Sequence, residues 1–140
     1  MAANILIVDD ELDMLDLLEM IIREKTPHRV TTTNNPLEVP QLLKEGGFNL
    51  LITDLRMPAL SGADLIREAK KIDPDLPVIV ITAYGSSQSA EESIAAGAYD
   101  YITKPFRRDQ IIITINRALE WEALRKELKA LRAKAQAPQE

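Results

Sequence analysis

The strongest constraint in this chain is an alternation. Short runs that are apolar on both faces return again and again between segments of helical period, and most stop on a polar residue. Ile5-Leu6-Ile7-Val8 is the first, followed by Asp9. A run with no polar face must be covered on both sides, as a strand of a parallel sheet is. Glu11–Lys25 then sets Leu15, Leu18 and Ile22 on one helical face, and His28–Thr33 reads as a weaker strand. Asn35-Pro36 supplies a cap and a proline at the first helical position. Pro40 falls inside that segment, so a kinked or short helix is predicted before Gly46-Gly47. Leu50–Thr53 is a strand ending on Asp54, and Ser61-Gly62 opens a helix that runs to Ile72 and stops at Asp73-Pro74. Val78–Ile81 ends on Thr82, Ser87–Ala96 is a helix closed by Gly97, and Ala98–Thr103 is a strand before Lys104. From Arg107 the helical period continues nearly to the end.

Five strand–helix units in succession predict the α/β class, with a five-stranded parallel sheet covered on both faces. Right-handed crossovers favour the doubly wound, flavodoxin-like (βα)5 arrangement in the order 2-1-3-4-5, here with an extended C-terminal helix. Ligands in such sheets bind beyond the carboxyl ends of the strands, where strands one and three diverge.

Composition narrows the classes. The 140 residues, 46% of them hydrophobic, fit one domain with one core region. A run of about 18 apolar residues is absent, so no membrane contact is expected. The first residues show no basic region followed by an apolar one, so no secretory signal is expected. The chain has no cysteine, which removes disulfides, thiol catalysis and cysteine–metal clusters and suits a cytoplasmic setting. A net charge of −5 gives no expectation of direct nucleic-acid binding by this domain. The charge is uneven. Residues 107–140 hold eight Lys/Arg and five Asp/Glu, a balance of +3, so residues 1–106 carry −8 of the total −5.

Much of that acidity falls at the predicted strand ends. Asp9, Asp10 and Glu11 follow the first strand, Asp54 the third, Thr82 the fourth and Lys104 the fifth. Folding gathers three aspartates, a hydroxyl and an ammonium at one edge. Carboxylates that close together stay ionised in a partly desolvated pocket only if a cation joins them. Oxygen donors without His or Cys suit a hard cation, Mg²⁺ above all. Asp10 and Asp54 are the direct ligands expected, with Asp9 acting directly or through water. Lys104 adds positive charge and Thr82 a hydrogen-bond donor. Such a pocket suits phosphoryl transfer to a carboxylate oxygen, where positioning and charge neutralisation dominate. Alone, Asp9 or Asp10 would read as a helix cap and Thr82 as a strand residue chosen by propensity. Their company carries the reading.

The set Ile-Val-Asp9-Asp10-Glu11, Asp54-Leu-Arg-Met57-Pro58 with Gly62, Val-Ile-Thr82-Ala83 and Lys104-Pro105-Phe106 resembles the receiver domains of two-component response regulators over roughly residues 3–120. The resemblance implies that Asp54 is the phospho-acceptor, charged by the phosphohistidine of a histidine kinase. It implies that Asp9, Asp10 and Asp54 hold Mg²⁺, joined by the backbone carbonyl of Arg56. Thr82 would bond the phosphoryl oxygen, Lys104 would pair with it, and Tyr101 would be the aromatic switch. The Lys104-Pro105 bond would be cis, and Arg56 and Tyr84 would tune hydrolysis. The implied protein is a signalling module rather than a metabolic enzyme, catalysing only its own phosphorylation and slow dephosphorylation, with an output that controls transcription. His28, the single histidine, reads as a loop residue and argues against a histidine phosphotransfer module. Two other classes stay open. An aspartyl-phosphate phosphohydrolase usually has a second aspartate where Arg56 stands. A phosphorylation-independent interaction module would keep the fold without using Asp54.

A receiver uses only part of the last helical segment. Ile111, Ile112, Ile115 and Leu119 suit packing onto the sheet, whereas Trp121, Leu124, Leu128, Leu131 and Ala135 follow spacings of 3, 4, 3 and 4. That is an a/d seam, though only two heptads long. The division expected is a receiver over 1–120 and a helical, coiled-coil linker and tail over 121–140, pairing two copies as a homodimer; the competing reading is a solvated, fraying helix. The linker resembles that of transcriptional activators whose receiver precedes an AAA+ ATPase and a DNA-binding module. The expectation is then an excised piece of such a regulator or a naturally short one.

Overall fold

A computed structural model of the chain describes residues 2–83 and 86–136. Five strands, β1 (Asn4–Val8), β2 (Arg29–Thr33), β3 (Leu50–Thr53), β4 (Val78–Thr82) and β5 (Asp100–Thr103), alternate with α1 (Leu12–Lys25), α2 (Val39–Glu45), α3 (Gly62–Ile72), α4 (Ser87–Ala96) and α5 (Arg108–Gln136). The sheet order is β2-β1-β3-β4-β5 and every pairing is parallel. This is the order expected from the alternation.

Both faces of the sheet are covered, and alternate residues of each strand serve different cores. Ile5 and Ile7 pack with Leu15, Leu18 and Ile22 of α1 and with Ile111, Ile115 and Ala118 of α5. Leu6 and Val8 face the other way, toward Val39 and Leu43 of α2 and Leu65, Ile66 and Ala69 of α3. Apolar burial on two sides is the main favourable term for so small a domain.

The helix ends follow local chemistry. The Ser61 hydroxyl accepts the N–H of Asp64 at 3.2 Å and caps α3. The Ser86 hydroxyl does the same for α4, taking the N–H of Ser89 at 3.0 Å. Gly97 ends α4 at φ 114, in the left-handed region that favours glycine. The segment after β2 is divided: Pro36–Glu38 form a 3-10 turn, capped by the Asn35 side chain, before a seven-residue α2. Pro40 sits in the first turn of α2, where its missing N–H is owed to no carbonyl. The predicted short helix is there.

Several boundaries differ from the sequence reading, β1 starting at Asn4 and β4 including Thr82 among them. Glu11 is the cap of α1 rather than its first helical residue. β2 starts one residue after His28. Ala98 and Tyr99 precede the paired part of β5, although the Tyr99 N–H already donates to the carbonyl of Val78 at 2.7 Å. Among the described residues no helix is long and apolar enough to cross a membrane.

Candidate functional site

All five strands point the same way, so the residues that follow them collect at one edge. Asp9 follows β1, Asp54 follows β3, Thr82 ends β4 and Lys104 follows β5. Asp9 and Asp54 are buried, at 2% and 5% exposure, and Thr82 is fully buried. A carboxylate that deep needs partners. The Lys104 ammonium supplies them, 3.3 Å from Oδ2 of Asp9 and 3.2 Å from Oδ2 of Asp54. Lys104 is itself fixed by the backbone, its N–H donating to the Thr82 carbonyl at 2.8 Å.

The rest of Asp54 is held locally. Its Oδ1 accepts the N–H of Leu55 at 2.6 Å and that of Arg56 at 3.3 Å, which sets the plane of the carboxylate. Oδ1 of Asp9 accepts the N–H of Glu11 at 2.9 Å. Behind the site, α3 begins almost on top of the acceptor loop. The Gly62 N–H donates to the Leu55 carbonyl at 2.8 Å. A Cβ at Gly62 would overlap the carbonyl oxygen of Asp54 and come within 2.6 Å of the Leu55 Cα. Only glycine permits that approach. Buried Met57 closes the loop from below, its sulfur 3.9 Å from the Thr53 hydroxyl.

The electrostatics are unbalanced toward the acids. One carboxylate oxygen each from Asp9, Asp10, Glu11 and Asp54 can lie within 4.8 Å of one another. Burial raises the pKa of Asp9, outweighing the Glu11 N–H and the nearby Lys104 charge that pull it down. Burial alone would lower Lys104, yet the charges of Asp54 and Asp9 together raise it, so the ammonium is secure. The pKa of Tyr101 on β5 is raised by burial and then by the charge of Asp54. The donor set fits Mg²⁺: four carboxylates, two exposed and two buried, without thiol or imidazole.

The structure therefore brings together Asp9, Asp10, Asp54, Thr82 and Lys104, and sets Tyr101 nearby. The Lys104-Pro105 bond is cis. Tyr84 and residues 137–140 lie outside the described residues. His28 stands away from this edge, its Nδ1 accepting the Ala3 N–H at 3.0 Å. In the extension of α5, Leu124, Leu128 and Leu131 face solvent, whereas the Trp121 ring turns to the domain and meets Tyr99 at 5.6 Å. Nothing in the sequence pattern marked Lys70, Asp75 and Glu122. They surround the base of that extension, at the opposite edge of the sheet.

Comparison with known proteins agrees with the geometry. The family model described as the response regulator receiver domain matches residues 5–116. The C4-dicarboxylate transport transcriptional regulatory protein DctD of Rhizobium meliloti is 32% identical over 139 residues, 99% of this chain and 30% of that protein. The crystal structure of NtrX from Brucella abortus superposes with a TM-score of 0.86 at 36% identity, covering 94% of this chain and 30% of the other. The solution structure of the beryllofluoride-activated NtrC4 receiver domain dimer gives a TM-score of 0.80 at 34% identity, covering 85% of this chain and 98% of that one. The match takes in 30% of the length of DctD and 26% of that of the transcriptional regulatory protein ZraR of Klebsiella oxytoca, so the chain spans only part of these relatives. The family match runs from the first strand past Lys104, so it takes in the whole acidic edge, and the chain belongs to the response regulator receiver domain family.

Proposed function

We propose that Asp54 accepts a phosphoryl group from the phosphohistidine of a histidine kinase and that the resulting acyl phosphate switches the domain. The observation that carries this reading is the placement of one ammonium, Lys104, between the buried carboxylates of Asp54 and Asp9. In the reaction a carboxylate oxygen of Asp54 attacks phosphorus, the P–N bond to the imidazole breaks, and its electron pair leaves with the histidine ring. The Leu55 and Arg56 N–H groups hold the acceptor carboxylate in orientation during the attack. Lys104 stays protonated and meets the charge that arrives on the phosphoryl oxygens, and the Thr82 hydroxyl donates to one of them. Asp9, Asp10, Asp54 and the carbonyl of Arg56 would hold Mg²⁺. When bound, Mg²⁺ supplies the remaining positive charge that phosphoryl transfer needs.

An apolar groove of about 440 Å³ lies beside Lys104, lined by Met14, Leu17, Ala83 and Phe106, and is suited to a donor protein's surface. Chemistry is confined to loading and slow unloading of Asp54; the domain is a signalling module, not a metabolic enzyme. The exposed leucines at 124, 128 and 131 support a homodimer paired through the α5 extension. A transcriptional output fits the kind of relative that the chain matches, as does a cytoplasmic setting.

Intact mass after incubation with acetyl phosphate and Mg²⁺ tests the acceptor. The parent should gain one phosphoryl group, and neither Asp54→Asn nor a sample held in EDTA should. Sedimentation of the same samples reads the dimer. If neither acetyl phosphate nor beryllofluoride changes the parent, the domain is a phosphorylation-independent interaction module instead.

A further inference from the structure

Lys70, in the last turn of α3, joins parts of the fold that sequence keeps apart. Its ammonium donates to the carbonyls of Pro74 at 2.8 Å and Leu76 at 2.9 Å, tying the α3–β4 turn. The same ammonium stands 5.3 Å from the centre of the Trp121 ring on α5. Its methylene stem lies along the glycine that ends α4, where a Cβ on Gly97 would come within 3.1 Å of the Lys70 Cγ. Trp121 also meets Tyr99, just before β5, and Arg125 at 5.5 Å. Arg125 reaches back to Asp75 at 3.5 Å, and Lys129 pairs with the same buried acid at 3.7 Å. The end of α4, the start of β5 and the base of the α5 extension thus meet around one side chain. Burial lowers the pKa of Lys70 against the pull of Asp73 and Asp75, so the ammonium is partly stripped of water.

α4 is lightly anchored beside that point. α3 buries Leu65, Ile66 and Ala69, whereas among the described residues of α4 those buried are Ser93 and Ala96, both small, and Ile94 is exposed. A helix with so little apolar burial shifts at low energetic cost. We propose that Lys70 is a positioning residue that passes a displacement of α4 to the α5 extension, so that loading of the distant acidic edge changes how Trp121 is seated. This rests on the acceptor reading above and names the route by which that site would reach the extension. It takes no part in loading: Lys70 lies near the starts of the strands, and Asp54 near their ends.

The chain has a single tryptophan, so its emission reads the cluster without labelling. Intact mass in acetyl phosphate and Mg²⁺ is measured on the full chain, beside tryptophan emission and acrylamide quenching with beryllofluoride and Mg²⁺. The parent should gain the phosphoryl group and its emission should shift. Lys70→Arg, which keeps the charge and the donors, should do the same. Lys70→Met should gain the phosphoryl group and lose the shift. A flat emission from a parent that takes up phosphoryl overturns the proposal, and so does a full shift from Lys70→Met. If the parent takes up no phosphoryl and beryllofluoride leaves its emission unchanged, the acceptor reading fails and this one with it; the mass separates the two failures. Should Lys70→Met not fold, Asp75→Asn releases Arg125 with Lys70 in place and should shrink the shift. An undiminished shift there also overturns the proposal.

Discussion

The two edges of the sheet use the same residue types to opposite ends. Where the strands finish, Asp9 and Asp54 are buried and share one lysine, with Asp10 and Glu11 close by. Where the strands begin, the acids are matched by cations. Asp75 has Arg125 and Lys129, and Glu122 has Lys126 at 2.6 Å and the Asn49 amide at 3.2 Å. Asp75 and Glu122 are thus satisfied by the chain itself, as structural polar groups should be. The finishing edge is short of positive charge. Functional sites are where such local conflict persists, because the missing partner is to come from outside.

Neutralisation tests this contrast. The largest effect should come from Lys104→Met, which leaves two buried carboxylates without their cation. In EDTA it should destabilise the domain by on the order of 3 kcal/mol in urea unfolding. Equal stability to the parent would mean that the edge is wet and the imbalance harmless. Asp9→Asn should act the other way. Burial already disfavours the Asp9 carboxylate, so removing its charge should stabilise the metal-free domain by on the order of 1 kcal/mol while impairing phosphoryl uptake, a trade typical of binding sites. A loss of stability instead would mark Asp9 as a structural residue.

At the starting edge the same kind of change should weaken the fold. Asp75→Asn strips Arg125 and Lys129 of their shared partner, and because both cations are well exposed the loss should be only about 0.5 kcal/mol. A gain would erase the difference between the edges. The smallest effect belongs to His28, whose pKa is lowered, first by burial. Its Nδ1 accepts the Ala3 N–H, so the fold holds the neutral ring. The stability it contributes is complete above the unfolded pKa of about 6.5 and is lost as pH falls through the lower folded value. The gap in melting temperature between the parent and His28→Gln should therefore narrow from pH 7.5 to 5.5. A gap independent of pH would assign His28 to packing alone.

The legible part of this molecule is the part governed by pattern. Ile5–Val8, Leu50–Thr53 and Val78–Thr82 are apolar on both faces, so their burial and direction follow, and the residues after them had to meet. Their company made Asp9, Asp54, Thr82 and Lys104 readable before any distance was known. The starting edge was opaque for the same reason. Trp121 fits an a/d seam and an inward contact equally well by spacing, and only its meeting with Tyr99 and Lys70, both remote in sequence, decides between them. Glu122 and Asp75 look like solvent residues in sequence because their partners come from remote segments. The late start of β5 reflects where pairing to Ile79 begins, at Asp100, rather than any change in apolar character.

The order in which the acceptor's surroundings can assemble is also written in the structure. Gly62 meets Leu55 across a short loop, so the backbone behind Asp54 can form early and locally. Lys104 reaches Asp54 from 50 positions away and Asp9 from 95, contacts that close long stretches of the chain. Long closures come late because their entropy must be overcome first. A nascent or partly folded chain would thus present Asp54 without its lysine, and a loaded domain would be one whose five strands had already met.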